Sequence, residues 1–439
     1  MIFLGMFLLV FLALAFIRVP VPFAMGIGAI ATFIFAGGSD VAVPSSMFRA
    51  LNVFTFLAIP AFIFAGDLMS AAGISAAIMR FANSLVGRVR GAAGAVTVVT
   101  CLLFGAITGS SMATITGIGG MMLPELVKAG YDKRYATALI SSCGFLGILI
   151  PPSIPGILYA MMAGQNLMKV WLCTIGPGLL LGGAYIFINW RRYGRGYPKP
   201  EGKFTVPSYF KGIGRETIHS LDALLMPVII FYGIYGGIFT PTEAGAVAVA
   251  YGLAVGYIVK PIWSISRGQK RYKPDVPFRP MVEESAITSS TIAMLNVFAI
   301  VSGTMITYTR IPAMLTETMF SITDSKYVFL IIVNIMLIIV GMFMETNSSV
   351  LLFGPILIPV AVSYGVDPVH FAGIMLLNLE IGMITPPFAA NLFVGCRVAR
   401  LDMNDILPFM KEFFIACLIV LIMTTYIPGL ATWLPGLVG

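Results

Sequence analysis

Residues 147–153 read GILIPPS, and residues 382–388 read GMITPPF. The two stretches stand 235 positions apart, and each sets a Pro-Pro pair within a long apolar segment. Because proline lacks an N–H group and disrupts the preceding helical turn, each stretch predicts a helix that is broken near its middle. Further matches at this offset, and one more after a single gap, are hard to obtain by chance and indicate two related halves. They pair Pro124 with Pro359, Gly130 with Gly365, Asp132 with Asp367 and, after the gap, Gly105 with Gly341.

The composition of the 439-residue chain is that of a membrane protein. Hydrophobic residues make up 58% of the chain and charged residues 10%, whereas a soluble domain has about 25% charged residues. Apolar stretches of about 20 residues, the length that crosses a bilayer, recur along the sequence. Backbone groups in lipid must be hydrogen-bonded within their own segment, so these stretches are predicted to be helices. The alternating segments of a β-barrel are not apparent, and we expect an all-α polytopic membrane protein.

Both halves show the same predicted order: scaffold helices, an interfacial arm, a re-entrant helical hairpin, a broken helix and a closing helix. In the first half, residues 1–190, these elements cover 1–70, 71–90, 91–127, 134–164 and 170–190. A cytoplasmic linker is predicted at 191–221. In the second half, residues 222–439, the elements cover 222–304, 305–322, 327–363, 369–396 and 406–429.

The number of crossings predicts that the two halves are inverted relative to each other. Each half has five crossings, since its hairpin enters and leaves on one side, and an odd number reverses the orientation of the second half. Placing the 191–221 linker in the cytoplasm puts all but four of the 27 Lys and Arg residues on that side. This bias is what the positive-inside rule requires. The N-terminus is then periplasmic, and the two hairpins enter from opposite faces.

The residues at the hairpin tips and helix breaks suit a binding site near the middle of the membrane. The tips read Gly109-Ser-Ser111 and Thr346-Asn-Ser348. Interrupted helices expose N–H groups that favour anions and carbonyls that favour cations, and such backbone is tolerated only in protein or beside water. Neutral oxygen ligands suit Na⁺, whereas Ca²⁺ or Mg²⁺ more often recruits several carboxylates. Close packing of small residues is the alternative explanation of these tips.

Carboxylates within apolar segments are further candidates, because a charge at membrane depth is costly and usually functional. Glu345 adjoins the second tip, and Glu380 precedes the second Pro-Pro pair. Either could bind a cation or relay a proton. Glu125 and Glu243 lie near the ends of predicted spans, where solvation or helix capping explains them equally well. Asp67, near the end of another span, is interpreted as structural.

Other function classes find little support in the sequence. The five Cys and two His residues are scattered and form no zinc or disulfide pattern. An intramembrane enzyme would need a nucleophile–base pair or a metal cluster, and neither motif is present. The net charge of +8 comes largely from basic loops, of which 191–221 and 260–282 are the richest. This is a topology signal rather than a nucleic-acid-binding surface.

Five motifs of the chain are specific when taken together. They are FGAITGSSMAT at 104–114, LIPPS at 149–153, IFTPTEA at 238–244, GMFME at 341–345 and ITPP at 384–387. With these motifs the chain resembles, over essentially its whole length, the large membrane subunit of TRAP (tripartite ATP-independent periplasmic) transporters. The chain departs from the usual pattern of that family at two points. Glu345 stands where Asp is common, and Phe388-Ala-Ala390 stands where Gly often follows the second Pro-Pro pair.

The resemblance implies a Na⁺-driven secondary transporter of the elevator type in the bacterial inner membrane, without a covalently bound cofactor. It implies three kinds of partner: a separate small membrane subunit of four helices, a periplasmic substrate-binding protein, and an organic acid. The organic acids of the family are C4-dicarboxylates, sialic acid and other sugar acids, and keto acids.

Mapped onto this sequence, the resemblance implies two Na⁺ sites and a substrate carboxylate between them. The Na⁺ ligands would come from Gly109, Ser110, Ser111, Ile150 and Pro151 in the first half and from Thr346, Asn347, Ile384 and Thr385 in the second. The substrate would lie near Ser111, Ser153, Asn347, Ser348 and Asn391. A stand-alone sodium- or proton-coupled anion carrier of the same architecture remains an open alternative.

Overall fold

A computed structural model describes residues 2–39, 41–194, 206–266, 272–274 and 276–438. All regular secondary structure in these ranges is helical. Seven of the described helices are long and apolar enough to cross a membrane, and the number rises to nine if each of two bent helix pairs counts as one span. The prediction of an all-α polytopic membrane protein is confirmed.

The first half contains helices that reach from the N-terminus to the predicted linker. A short 3₁₀ turn, Phe54–Leu57, leads into its fourth helix, and its broken helix has three pieces. The helices are α1 (Ile2–Phe16), α2 (Val21–Phe35), α3 (Ala42–Leu51), α4 (Ala58–Ala71), α5 (Ile74–Val86), α6 (Ala92–Thr108), α7 (Ser111–Lys128), α8 (Lys133–Gly144), α9 (Leu146–Leu149), α10 (Ile154–Ala163) and α11 (Leu167–Tyr193).

The second half repeats the order from α4 to α11 in the helices α16 to α22. Before this repeat, a π-helical turn, Ala254–Val259, joins two of the scaffold helices. The helices are α12 (Val206–His219), α13 (Leu221–Tyr235), α14 (Pro241–Leu253), α15 (Lys260–Ser266), α16 (Phe278–Tyr308), α17 (Ile311–Ile322), α18 (Lys326–Phe343), α19 (Thr346–Ser363), α20 (Pro368–Gly382), α21 (Ala390–Ala399), α22 (Met403–Tyr426) and α23 (Gly429–Thr432).

The residues that match between the halves have the same structural role in each. Gly130 and Gly365 both adopt positive φ, +82° and +72°, just after α7 and α19 end. This left-handed conformation favours glycine and terminates helices. Asp132 and Asp367 then cap α8 and α20, because each carboxylate accepts backbone N–H bonds at 2.7–2.9 Å.

Glycine pairs join each hairpin to the broken helix of its own half. A Cβ atom on Gly105 of α6 would overlap the Cα of Gly147 in α9. In the second half a Cβ on Gly382 of α20 would overlap the backbone of Gly341 in α18. Only glycine permits backbones to approach this closely. Each hairpin therefore packs directly on the helix that carries the Pro-Pro break.

The broken helices form the centre of the molecule. Every residue from Tyr135 to Gly144 in α8 and from Val369 to Gly382 in α20 is buried. A helix buried on all sides is apolar all round, and this accounts for the unbroken apolar runs in the sequence. Polar groups within these two helices are therefore enclosed by protein.

Two sequence predictions differ from the structure near the linker and the second arm. The linker predicted at 191–221 contains the end of α11 and the whole of α12; its residues 195–205 lie outside the described ranges. The arm predicted at 305–322 begins later, at Ile311, because α16 continues to Tyr308. Arg310 then takes a φ of +53°, and α17 follows with Pro312 in its first turn. A scaffold helix of 31 residues is therefore longer than expected.

The orientation of the halves in the membrane stays a prediction. The two arms of the second hairpin, α18 and α19, each have 18 residues and are long enough to span a bilayer. Length alone therefore does not distinguish a re-entrant hairpin from two crossings here. The periplasmic position of the N-terminus is likewise untested.

Candidate functional site

The first hairpin tip is a tight turn between two helices. α6 ends at Thr108, Gly109 follows with a φ of +58°, and Ser110 caps α7 by accepting a hydrogen bond from the N–H of Ala113 at 3.4 Å. Ser111 is the first residue of α7 and is buried. Its position places a hydroxyl beside the N-terminus of a helix, where anions are stabilised.

The first tip touches the first helix break. A Cβ on Gly109 would overlap the carbonyl oxygen of Pro152. The indole of Trp171 donates a hydrogen bond to the Ser153 carbonyl at 3.2 Å. Pro151, Pro152 and Ser153 are all buried. The first break is thus enclosed by protein, and its Ser153 carbonyl accepts from both the Trp171 indole and the N–H of Ile157.

The second hairpin tip carries a carboxylate. α18 ends at Phe343, and Glu345 stands immediately before α19. The amide of Asn347 donates to the carboxylate of Glu345, and the Ser349 hydroxyl donates to the Glu345 carbonyl at 3.0 Å. Thr346, the first residue of the helix, is buried. This tip therefore has a carboxyl group that the first tip lacks.

Glu380 connects the two tips. It is fully buried in α20, and one carboxylate oxygen accepts a hydrogen bond from the Thr346 hydroxyl at 2.6 Å. The other oxygen accepts from the Asn391 amide at 3.4 Å, beyond the second break. The side chain of Ser111, from the first tip, also interacts with this carboxylate. One buried carboxylate therefore contacts both hairpins and the second broken helix.

A cavity of about 690 Å³ opens beside this cluster. Its lining includes both tips, together with Glu345 and Glu380. The scaffold helices α4 and α16 form the facing wall and contribute Asp67 and Glu284. The Asp67 carboxylate accepts a hydrogen bond from Ser285. Four carboxylates and no Lys or Arg line this cavity, so within the described chain its wall is acidic.

The predicted ligand residues fall into two groups. Those from the tips line the cavity, namely Gly109, Ser110, Ser111, Thr346 and Asn347. Ser348 of the second tip does not line it, and neither do the predicted residues from the breaks and beyond them, namely Ile150, Pro151, Ser153, Ile384, Thr385 and Asn391. Among the latter, the Thr385 hydroxyl bonds back to the Ile381 carbonyl at 2.7 Å. The structure thus brings residues of both tips together at the cavity, whereas the predicted break residues lie outside its lining.

Two amide oxygens could accept a cation or a donor from a ligand. Oδ1 of Asn347 and Oδ1 of Asn391 are buried and lack a hydrogen-bond partner among the described residues. Buried polar atoms are usually hydrogen-bonded, so an unpartnered acceptor invites an explanation. Each lies on a residue whose amide nitrogen already donates to a carboxylate, to Glu345 and Glu380 respectively. The oxygens of the second half therefore suit a small cation.

Glu380 was a candidate carboxylate in the sequence, but it was absent from the ion and substrate ligands that the family resemblance implies. Its only signal was a carboxylate within an apolar segment ahead of the second Pro-Pro pair. Glu243 is different, because it closes a capping box with Thr240 at the start of α14. Glu125 forms an exposed ion pair with Lys128 at 2.8 Å. The ordinary structural explanation therefore holds for these two carboxylates.

The arrangement favours transport over covalent chemistry. Among the described residues, no group of three or more His, Cys, Asp or Glu side chains converges to hold a metal ion. What converges instead is two helix N-termini, hydroxyls, amides and two neighbouring carboxylates beside a cavity. Such groups bind an ion and an organic anion without changing either.

The family comparison agrees with this geometry. Residues 8–430 match the family described as "Tripartite ATP-independent periplasmic transporter, DctM component". The chain belongs to this family. It is therefore the large permease subunit of a TRAP transporter, a multi-pass membrane protein and not an enzyme.

Relatives of this permease have names that mention different organic acids. The isethionate TRAP transporter permease protein DctMQ of Oleidesulfovibrio alaskensis is 34% identical over 96% of this chain, which spans 64% of that longer protein. The C4-dicarboxylate large permease DctM of Vibrio cholerae is 34% identical over 98% of this chain and 97% of its own length. The sialic acid large permease SiaM of the same species is 32% identical over 97% of both chains.

A solved structure resembles the permease in fold. The YdaH transporter of Alcanivorax borkumensis, described as having an unusual topology, superposes with a TM-score of 0.55. The match covers 90% of this chain and 87% of the other, at 13% sequence identity. At this identity the likeness concerns the fold alone.

Proposed function

We propose that this permease imports an organic acid and that Na⁺ entering with it drives the step. The observation that carries the proposal is the contact of Glu380 with both hairpin tips. A buried carboxylate requires a compensating positive charge or a proton, and no basic side chain of the described chain lines the cavity. Na⁺ bound by Glu380, Thr346 and the free amide oxygens of Asn347 and Asn391 would supply that charge.

The organic acid is proposed to bind between the two tips, in the cavity beside Ser111 and Asn347. The N-termini of α7 and α19 would stabilise its acidic group. Isethionate, C4-dicarboxylates and sialic acid, named for the relatives, each carry at least one acidic group and differ in the rest of the molecule. A cavity of about 690 Å³ has room for any of them.

The moving part is proposed to consist of the two hairpins and the two broken helices. The glycine contacts between α6 and α9, and between α18 and α20, support motion of this unit as one body, because its backbones are in direct contact. The cavity lies between this unit and the scaffold helices α4 and α16. Sliding of the unit along these helices would carry the ligand across the membrane. This is an elevator mechanism.

Two partners belong to the proposal: a small membrane subunit and a periplasmic binding protein that delivers the acid. The test is uptake of labelled acid by proteoliposomes that contain the permease with its small subunit. We expect uptake only with an inward Na⁺ gradient and with the binding protein outside. Choline in place of Na⁺ is the ionic control.

The same assay separates the alternatives. Equal uptake with choline would refute Na⁺ coupling. Undiminished uptake without the binding protein would indicate a stand-alone carrier. The proximity of Glu345 to Glu380 favours one second candidate, proton coupling, since neighbouring carboxylates readily share a proton. A pH gradient that drives uptake in the absence of Na⁺ would identify it.

A further inference from the structure

Helix α12 lies across the end of a membrane helix. The axes of α12 and α13 are bent by 80° where they meet at Ser220. Leu221, Leu225 and Val228 of α13 are exposed and recur on one helical face, which is the pattern of a surface against lipid. A helix at nearly a right angle to such a span runs along the membrane surface. On the predicted topology this surface is the cytoplasmic one.

One face of α12 packs on the first arm, α5. Tyr209, Ile213 and Thr217 recur at intervals of four residues on this face and are half-buried. The Tyr209 hydroxyl donates to the Leu85 carbonyl at 2.7 Å near the end of α5. At the other end of α12, buried Ser220 donates to the Ala77 carbonyl at 2.9 Å. Two hydrogen bonds thus hold both ends of α12 to α5.

A second face of α12 is apolar and exposed. We call Phe210, Gly214 and Ile218 the lipid strip; they also recur at intervals of four residues. The exposed fractions of the Phe210 and Ile218 side chains are 64% and 72%. Ile218 precedes the exposed Leu221 of α13 by three residues, so exposed apolar side chains flank the bend on both sides. A surface continuous with the lipid face of a span is itself suited to lipid.

A third face of α12 is basic. Lys211 and Arg215 are exposed, stand four residues apart, and directly follow Phe210 and Gly214 in sequence. The basic strip they form therefore lies beside the lipid strip on the helix surface. Apolar side chains flanked by Lys and Arg are the pattern of helices that rest on anionic membranes. The basic side chains would reach phosphate groups at the depth where the apolar ones enter the acyl chains.

We propose that α12 is a membrane-surface anchor that binds anionic phospholipid headgroups and thereby fixes arm α5. Phe210 and Ile218 enter the boundary between headgroups and acyl chains, and Lys211 and Arg215 contact the phosphates. Because α5 connects the scaffold to the first hairpin, anionic lipid on α12 stabilises the position of that connection.

The depth of α12 in the bilayer can be measured on the full-length chain without any transport assay. The five native cysteines are all buried, so an introduced cysteine is labelled selectively. Ile218→Cys and Lys211→Cys are labelled with a fluorophore and placed in phosphatidylcholine vesicles that contain phosphatidylglycerol. A nitroxide near the top of the acyl chains should quench the label at position 218 several-fold more than the label at 211. Equal quenching at both positions would refute the insertion of the lipid strip.

Anionic dependence is tested with the same label. Omission of phosphatidylglycerol, or the double substitution Lys211→Gln with Arg215→Gln, should lower the quenching at position 218. Quenching that is unchanged by both would refute headgroup recognition. If addition of the small membrane subunit abolishes the quenching, the strip is a protein interface and the lipid proposal is wrong.

The helix offers a matched pair of glycines as a gain-of-function test. An added Cβ would meet nothing within 4 Å at either Gly212 or Gly214. Leucine should therefore be tolerated at both, and it favours helix equally at both. Gly214→Leu extends the lipid strip and should increase quenching at position 218 even without phosphatidylglycerol. Gly212→Leu lies on another face and should not, and an equal increase in both would overturn the proposal.

Discussion

The two half-sites share one frame and differ in chemistry. Asp132 and Asp367 cap equivalent helices, and glycine pairs join hairpin to broken helix in both halves. At the same offset of 235, however, Phe145 of the first half stands where Glu380 stands in the second. Phe145 is fully buried, as Glu380 is. The repeat therefore gives both halves the same backbone frame, but at this position only the second half has a carboxyl group.

The helix breaks differ in the same sense. At the first break Pro151 to Ser153 are buried, and the Trp171 indole donates a hydrogen bond to the Ser153 carbonyl. At the second break Pro387 and Phe388 are exposed, and Ala389 adopts a φ of +40°. The first break is thus a closed structural element, whereas the second is open and carries a locally unfavourable conformation. On the proposed function, this difference assigns ion binding to the second half and rigidity to the first.

Replacement of Glu380 with Gln should have the largest effect, because it removes the carboxylate that distinguishes the second half-site from the first. Loss of a hydrogen-bonded charge costs about 1.5–3 kcal/mol, and each 1.4 kcal/mol is about tenfold in affinity. The Na⁺ concentration for half-maximal uptake should therefore rise by roughly tenfold to a hundredfold. Glu125→Gln removes an exposed carboxylate of an ion pair and is the control, expected to change uptake little. Wild-type Na⁺ dependence in Glu380→Gln would mean that the ion binds elsewhere.

Alanine at the paired glycines should destabilise both halves alike. Added Cβ atoms on Gly105 and Gly341 would overlap backbone atoms of Gly147 and Leu379, which have little room to move. Overpacking of this kind costs about 1–3 kcal/mol. The thermal unfolding temperature in detergent should fall for both variants, whereas Gly183→Ala, with open space around it within α11, should not lower it. A loss confined to one half would show that the frames are not equivalent.

Replacement of Trp171 with Phe should destabilise the first break alone. The Ser153 carbonyl would lose the indole donor but keep the N–H of Ile157, and a net hydrogen bond of this kind contributes about 0.5–1.5 kcal/mol. The free energy of unfolding should fall by that amount, with the Na⁺ dependence of uptake preserved. Trp190→Phe removes a half-exposed indole and serves as the comparison. A shift in Na⁺ dependence would assign an ion-binding role to the first break.

Glycine at position 389 should have the smallest effect, and a stabilising one. Relief of the left-handed conformation is worth about 1–2 kcal/mol, and loss of the buried methyl group costs about 0.8 kcal/mol. The unfolding temperature should therefore rise slightly for Ala389→Gly. Ala390→Gly, one residue into α21, should lower it because glycine disfavours helix. A decrease at position 389 would contradict the interpretation that this backbone is strained.

Local signals located the tips and breaks, because Gly, Pro and polar clusters act on the backbone next to them. Helices do end at Thr108 and begin at Thr346, and the chain is interrupted at both Pro-Pro pairs. The partners of Glu380 could not be derived in this way. Ser111 comes from the other half of the chain, and its approach depends on how the hairpins pack. The lining of the cavity escaped prediction for the same reason, as Asp67 and Glu284 reach it from the scaffold.

The acidic wall of the cavity has a consequence for efficiency. A lone organic anion that entered the cavity would face carboxylates with no basic side chain of the described residues beside them. Two like charges 4 Å apart repel by roughly 4 kcal/mol at an effective dielectric constant of about 20. For the proposed function, the side chains that hold the cation thus also turn away an anion that arrives without one. A carrier built in this way resists slippage of its substrate, because the organic anion cannot easily cross without the cation.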